Sequence, residues 1–192
     1  MNIIKIGIFT IVMLLYLWFP FNMIRHTEKI LNQGTLHRFR LEPIDPYDAF
    51  RGRYVVLFYG NTAVPAMDSL NSGQPIFITL AKDSSGYSFF EAAWAVKPER
   101  KDYIITEASY FASASDTVHF VLPENMQYYY MNEKTAPLVD ELLWQPVDTI
   151  PHKNIVSVRV LKGETAVEEL YVDDLPVLEY LKQFQSKQKN AK

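Results

Sequence analysis

The stretch Arg51-Gly52-Arg53-Tyr54-Val55-Val56-Leu57-Phe58-Tyr59 alternates with a period of two. Tyr54, Val56 and Phe58 point one way, and Val55, Leu57 and Tyr59 point the other. Both sets are apolar, so this strand is expected to be central and covered on each side. Just upstream, Asp45-Pro46-Tyr47-Asp48-Ala49-Phe50 reads as a short helical turn. Asp45 suits its N-cap and Pro46 its first position. Asp48 places a carboxylate near unpaired amides, and Gly52 supplies a left-handed stop.

Working outward, Thr35–Glu42 also alternates, with Phe39 and Leu41 on one face and Arg38, Arg40 and Glu42 on the other. Further strands are predicted at 76–82, 87–96, 103–112, 117–122, 155–161 and 166–172. Ser84-Ser85-Gly86 and Lys162-Gly163-Glu164 read as hairpin turns. Helical spacing is scarcer. It is predicted at 124–130, in a segment that begins at Thr135-Ala136-Pro137 and carries Leu138, Val139, Leu142 and Leu143, and along 176–189, with Val177, Leu178, Leu181 and Phe184 on one stripe. Strands at short spacing with few helices give a mainly β, α+β expectation: a small antiparallel β sandwich or partly open barrel with one or two short helices.

An N-terminal transmembrane helix precedes that domain. Residues 6–24, IGIFTIVMLLYLWFPFNMI, carry no charge and as a helix span about 28 Å, close to a bilayer's hydrocarbon core. Tyr16 and Trp18 lie towards the end closed by Arg25, His26 and Lys29. Pro20 and Asn22 weaken the last turn, so the helix is expected to end near Phe19. No small residues form a cleavage site in FPFNMIRHTEK, which favours an uncleaved anchor over a removed signal. The flanking basic residues balance, and charge alone leaves the orientation open. The expected division is an anchor and its flank over 1–30, a β-rich domain over 31–175, and an amphipathic helix with a frayed tail over 176–192.

The composition narrows the chemistry. There are 19 basic and 22 acidic residues, net −3, and no basic footprint for nucleic acid. Cysteine is absent, which excludes disulfides and thiol catalysis. The glycines are isolated turn glycines rather than a phosphate-cradling loop, so no nucleotide is expected. His26, His37, His119 and His152 show no metal-ligand spacing, and neither metal nor cofactor is expected. G-x-S-x-G and S-x-x-K are both missing, and no catalytic residue is assigned. Asp45, Asp48, Arg51 and Arg53 form the polar cluster best suited to a ligand or partner, although capping and local ion pairing account for the same residues. Tyr128, Tyr129 and Tyr130 form the second candidate binding site. With Trp94, Tyr110 and Trp144 they have the rings to line a glycan or peptide groove. Three successive tyrosines cannot all face inward, so at least one is expected to be exposed.

Gly52, Tyr54, Leu57 and Tyr59 fit G-x-Y-x-x-L-x-Y. With the Asp45-Pro46-Tyr47-Asp48 lead-in, Arg51 and the later Phe120-Val121-Leu122-Pro123-Glu124, the chain resembles the GDYXXLXY family of bacterial membrane-anchored proteins. Arg53 departs from the pattern by standing where the family has an acid. The resemblance implies a domain anchored in the cytoplasmic membrane and facing away from the cytoplasm, with no established activity. Members are often encoded beside multi-span membrane proteins. The expected function is therefore an accessory or interaction subunit of such a protein. A cell-envelope glycan- or peptide-binding module is the alternative, and a membrane-anchored hydrolase is the weaker one. Within the motif, Tyr54, Leu57 and Tyr59 are expected to be structural.

Overall fold

The computed structural model describes residues 3–42, 54–112, 116–143 and 153–190. Strand exceeds helix, 42% to 31%, even with a long N-terminal helix counted, so the chain is mainly β.

Helix α1 spans Ile3–Gln33 and passes straight through Pro20. The expected end near Phe19 is not observed. Proline removes one backbone donor there, but the turn is held nearby by Asn22, whose amide donates to the Trp18 carbonyl at 3.2 Å. Thr10 and Thr27 donate back in the same way, to Ile6 and Met23. The helix's far end is fixed by the domain. Ile30 is buried, Gly34 N–H donates to the Ile30 carbonyl, and Arg159 donates to the Gly34 carbonyl.

From Gly34 the chain turns directly into β1, Thr35–Arg40. β1 pairs antiparallel with β9 (Asn154–Leu161), which pairs with β10 (Glu164–Val172) and so with β11 (Leu175–Pro176), giving the order β1-β9-β10-β11. The β9–β10 turn has positive φ at both Lys162 (55°) and Gly163 (90°), as a tight two-residue hairpin demands. A second sheet has the order β3-β7-β6-β4-β5. Its strands are β3 (Ala63–Pro65), β4 (Pro75–Lys82), β5 (Ser88–Trp94), β6 (Tyr103–Ala112) and β7 (Thr117–Val121). Bulges between Thr79 and Leu80 and between Ala108 and Tyr110 help it curl. Just after β3, Ala66 reaches the opposite edge through one bridge to Ala93. Among the described residues no longer ladder joins the two edges, so the sheet is not a closed barrel.

The motif segment is the main correction to the sequence reading. Among its described residues only Tyr54–Val56 is strand (β2), and this strand is not central. It forms a two-stranded ribbon with β8, Tyr128–Tyr130, in the register Tyr54↔Tyr130. The expected helix at 124–130 therefore stops at Gln127 (α2, Glu124–Gln127). Burial follows one parity: Val55, Leu57 and Tyr59 are in the core, Tyr54 and Val56 are half-buried, and Phe58 is at the surface.

α3 (Ala136–Leu143) buries Ala136, Val139 and Leu143, with Leu138 outside. α4 (Val177–Asn190) packs through Val177 and Leu181, with Phe184 half-buried, while Leu178 turns to solvent. The centre is aromatic. Phe90 lies 5.3 Å from Phe39, 6.0 Å from Tyr59 and 5.0 Å from Phe120, ring centre to ring centre, so one cluster ties β1, the motif and the curled sheet together.

Candidate functional site

The two candidate sites read from the sequence fare differently. Asp45, Asp48, Arg51, Gly52 and Arg53 lie outside the described residues, as does Trp144. The tyrosine cluster is described in full. β8 presents Tyr128 and Tyr129 half-buried and Tyr130 67% exposed, as the run of three rings requires. Tyr54 on β2 braces it edge-on, 4.8 Å from Tyr128 and 6.0 Å from Tyr130.

Tyr129 is the inner member. Its hydroxyl donates to Glu169 Oε1 at 2.7 Å. Burial first, and then that carboxylate, push the phenol well above its ordinary range. The same Glu169 oxygen also accepts from the Leu170 N–H. The motif's last tyrosine is held more tightly. Tyr59 donates to the Met126 carbonyl at 2.9 Å in a buried setting, and desolvation raises its phenol out of any useful range. Leu57 N–H donates to the Gln127 carbonyl. Leu57 and Tyr59 thus tie the motif segment to α2.

A groove of about 750 Å³ opens between the ribbon and the start of β10. Four segments far apart in sequence form its walls: His26, Thr27 and Ile30 of α1, Ile105 of β6, the stretch with Asn125 and Tyr128–Tyr130, and Gly163–Glu168. Asn125 bonds Thr165 through both its side-chain atoms and so fixes α2 against β10. His26 Nε2 lies 3.1 Å from Glu164, and Glu168 pairs with Arg159 at 2.8 Å. Trp94 on β5 and Tyr110 on β6 do not line this groove. No local sequence signal marks it, because it exists only once α1, β8 and β10 are brought together.

A second constellation was missed at the sequence level. The Ser88 hydroxyl shares a hydrogen bond with His37 Nδ1 (3.0 Å), and His37 Nε2 lies 3.4 Å from Asp102, a contact just short of hydrogen-bond geometry. The parity of β1 carried the signal, since His37 alternates with Phe39 and Leu41. A serine, a histidine and an acid in a chain are the parts of an acyl-transfer relay. Here the relay faces the wrong way. Ser88 and His37 are 5% and 2% exposed, whereas the Asp102 side chain is 45% exposed. A substrate can reach the acid and not the hydroxyl. The chain instead joins β1 to β5. Desolvation lowers the His37 pKa, opposed by Asp102 and reinforced by Lys82.

His119 is exposed on β7 with its ring 6.2 Å from Tyr110. His152 lies outside the described residues. Among the described residues no group of three acidic or histidine side chains is placed to hold a metal ion. A polar cluster of another kind sits where β1 meets the β4–β5 turn. The Arg40 guanidinium lies 4.4 Å above the Tyr87 ring with Lys153 at 5.4 Å, and Asp83 and Asp174 neutralise the two cations. These charges are paired with one another, so the cluster reads as a solvated brace rather than a binding site.

No curated protein and no solved structure matches the chain. The model of the GDYXXLXY protein family matches residues 16–170, which takes in most of α1, the motif segment, the tyrosine ribbon and the sheets that hold them, and the chain belongs to that family.

Proposed function

We propose that this protein is a single-pass membrane protein of the bacterial cytoplasmic membrane. Its β-rich domain faces away from the cytoplasm as an accessory or interaction subunit of a multi-span membrane protein. The observation that carries the reading is the state of α1. Its apolar window is long enough to cross a bilayer and is 0% buried against the rest of the chain, yet the same helix is locked into the domain at Ile30 and Gly34. A core helix would be covered by its own domain. This one leaves an apolar surface for lipid and for neighbouring helices to cover. Asn22 gives that surface a polar side chain of the kind helix partners use.

The test is purification of the tagged full-length protein in mild detergent, with mass spectrometry of what accompanies it. A stoichiometric multi-span partner, lost when residues 6–24 are replaced by an unrelated anchor, supports the subunit reading. A lone protein that behaves identically with either anchor sinks it. One observation favours a second reading, a cell-envelope glycan- or peptide-binding module: a groove of about 750 Å³ walled by three tyrosines has the size and ring faces such ligands use.

A further inference from the structure

Two grooves meet on α1 at His26. The first, of about 680 Å³, follows the helix face that carries Trp18, Asn22, Arg25 and Lys29. Those spacings of four, three and four place all four residues on one stripe. The second is the groove between the tyrosine ribbon and β10, and His26 lines both. The apolar run ends at Ile24. With the helix upright at 1.5 Å per residue, His26 to Ile30 stand within about 10 Å of the hydrocarbon edge, at the depth of the headgroups. Trp18, about 9 Å inside that edge, lines the membrane end of the first groove, at the depth of the acyl chains.

The charges along this path have an order. The first groove is cationic, with Arg25 and Lys29 and no acid among its lining residues. The second carries Glu164, Glu168 and three phenol rings. Glu168 is committed to Arg159, whereas Glu164 is half exposed and meets the His26 ring at 3.1 Å. A zwitterionic phospholipid has the complementary order: an anionic phosphate next to the glycerol, then an ammonium reaching outward.

We propose that the two grooves together hold one aminophospholipid. Its phosphate rests on Arg25 and Lys29, and its ammonium lies beside Glu164 and the tyrosine faces. Charge-assisted hydrogen bonds serve the first contact, and a carboxylate with cation–π attraction serves the second. This site neither requires nor excludes a protein partner for the domain.

The test uses the full-length protein in detergent. It is offered equimolar phosphatidylethanolamine and phosphatidylglycerol with identical acyl chains, and the retained lipid is counted by native mass spectrometry. The expected result is one retained phosphatidylethanolamine, favoured about tenfold. Glu164→Gln should bring the ratio close to one while lipid is still held, and the Arg25→Gln, Lys29→Gln double variant should lose both lipids. Thermal unfolding of Glu164→Gln should match the parent, because that side chain is exposed. Equal retention of the two lipids by the parent, an unchanged preference in Glu164→Gln, or a co-purifying peptide in the groove in place of lipid would each overturn the proposal.

Discussion

Neighbouring tyrosines in one short strand have different jobs. Tyr129 gives its hydroxyl to Glu169 inside the ribbon, whereas Tyr130 is 67% exposed. Tyr129→Phe should lower stability by about 1.5–3 kcal/mol, the range for a hydrogen bond to a charged partner. Tyr130→Ala should change it by about 0.5 kcal/mol or less. Urea unfolding followed by circular dichroism separates the two. A binding role for the cluster is therefore best probed at Tyr130, since loss at Tyr129 mixes binding with folding. His37 gives the second residue-scale expectation. Its pKa is lowered in the folded protein, so the unfolded chain takes up the proton first. Its stability contribution is complete above the ordinary value of 6.5 and is lost as pH falls from there towards the depressed folded value. The slope is at most about 1.4 kcal/mol per pH unit. Melting temperatures at pH 7.5 and 5.5 should differ less in His37→Gln than in the parent, with Ser88, Asp102 and Lys82 unchanged around the site.

At the scale of elements, period-two alternation marked most strands of the two larger sheets to within a residue or two. The hairpin turns at Gly86 and Gly163 stood out because each needs a glycine at positive φ. The motif strand misled for a physical reason. An apolar alternation on both faces describes a strand with neighbours on each side, and it also describes a short ribbon whose outer rings pack on each other, as Tyr54 does on Tyr128 and Tyr130. From the sequence β8 reads as helix because Met126 and the tyrosines follow a helical start at Glu124, and the strand's partner lies some seventy residues away. Pro20 misled in the opposite direction: the helix runs on past this local breaker, with the Asn22 amide bonded to the Trp18 carbonyl beside it. That joint is testable. A Cβ on Gly34 would lie 2.5 Å from the Ile30 carbonyl oxygen and 3.0 Å from the Val160 nitrogen. Both obstacles are backbone, so Gly34→Ala should cost about 1–3 kcal/mol. Limited proteolysis should then cut between α1 and β1 faster than in the parent.

At the scale of the whole molecule, the architecture was legible: an apolar N-terminal helix followed by a mainly β domain. The groove was not. Its walls come from α1, β6, β8 and β10, segments that lie far apart in the chain. The inverted Ser88–His37–Asp102 chain was hidden likewise, since its three members lie on separate segments. Because α1 continues without a break into the domain, the tyrosine ribbon should stand at a fixed height above the bilayer, level with the helix segment across the groove. The chain has no cysteine, so single labels are unambiguous. Spin labels at positions 25, 33 and 130 of the full-length protein in lipid nanodiscs, read by accessibility to lipid-soluble and water-soluble relaxers, measure that height. The expected result is a depth at 130 between those at 25 and 33. A label at 130 lying farther from the bilayer than the one at 33 would contradict a ribbon held at the membrane surface.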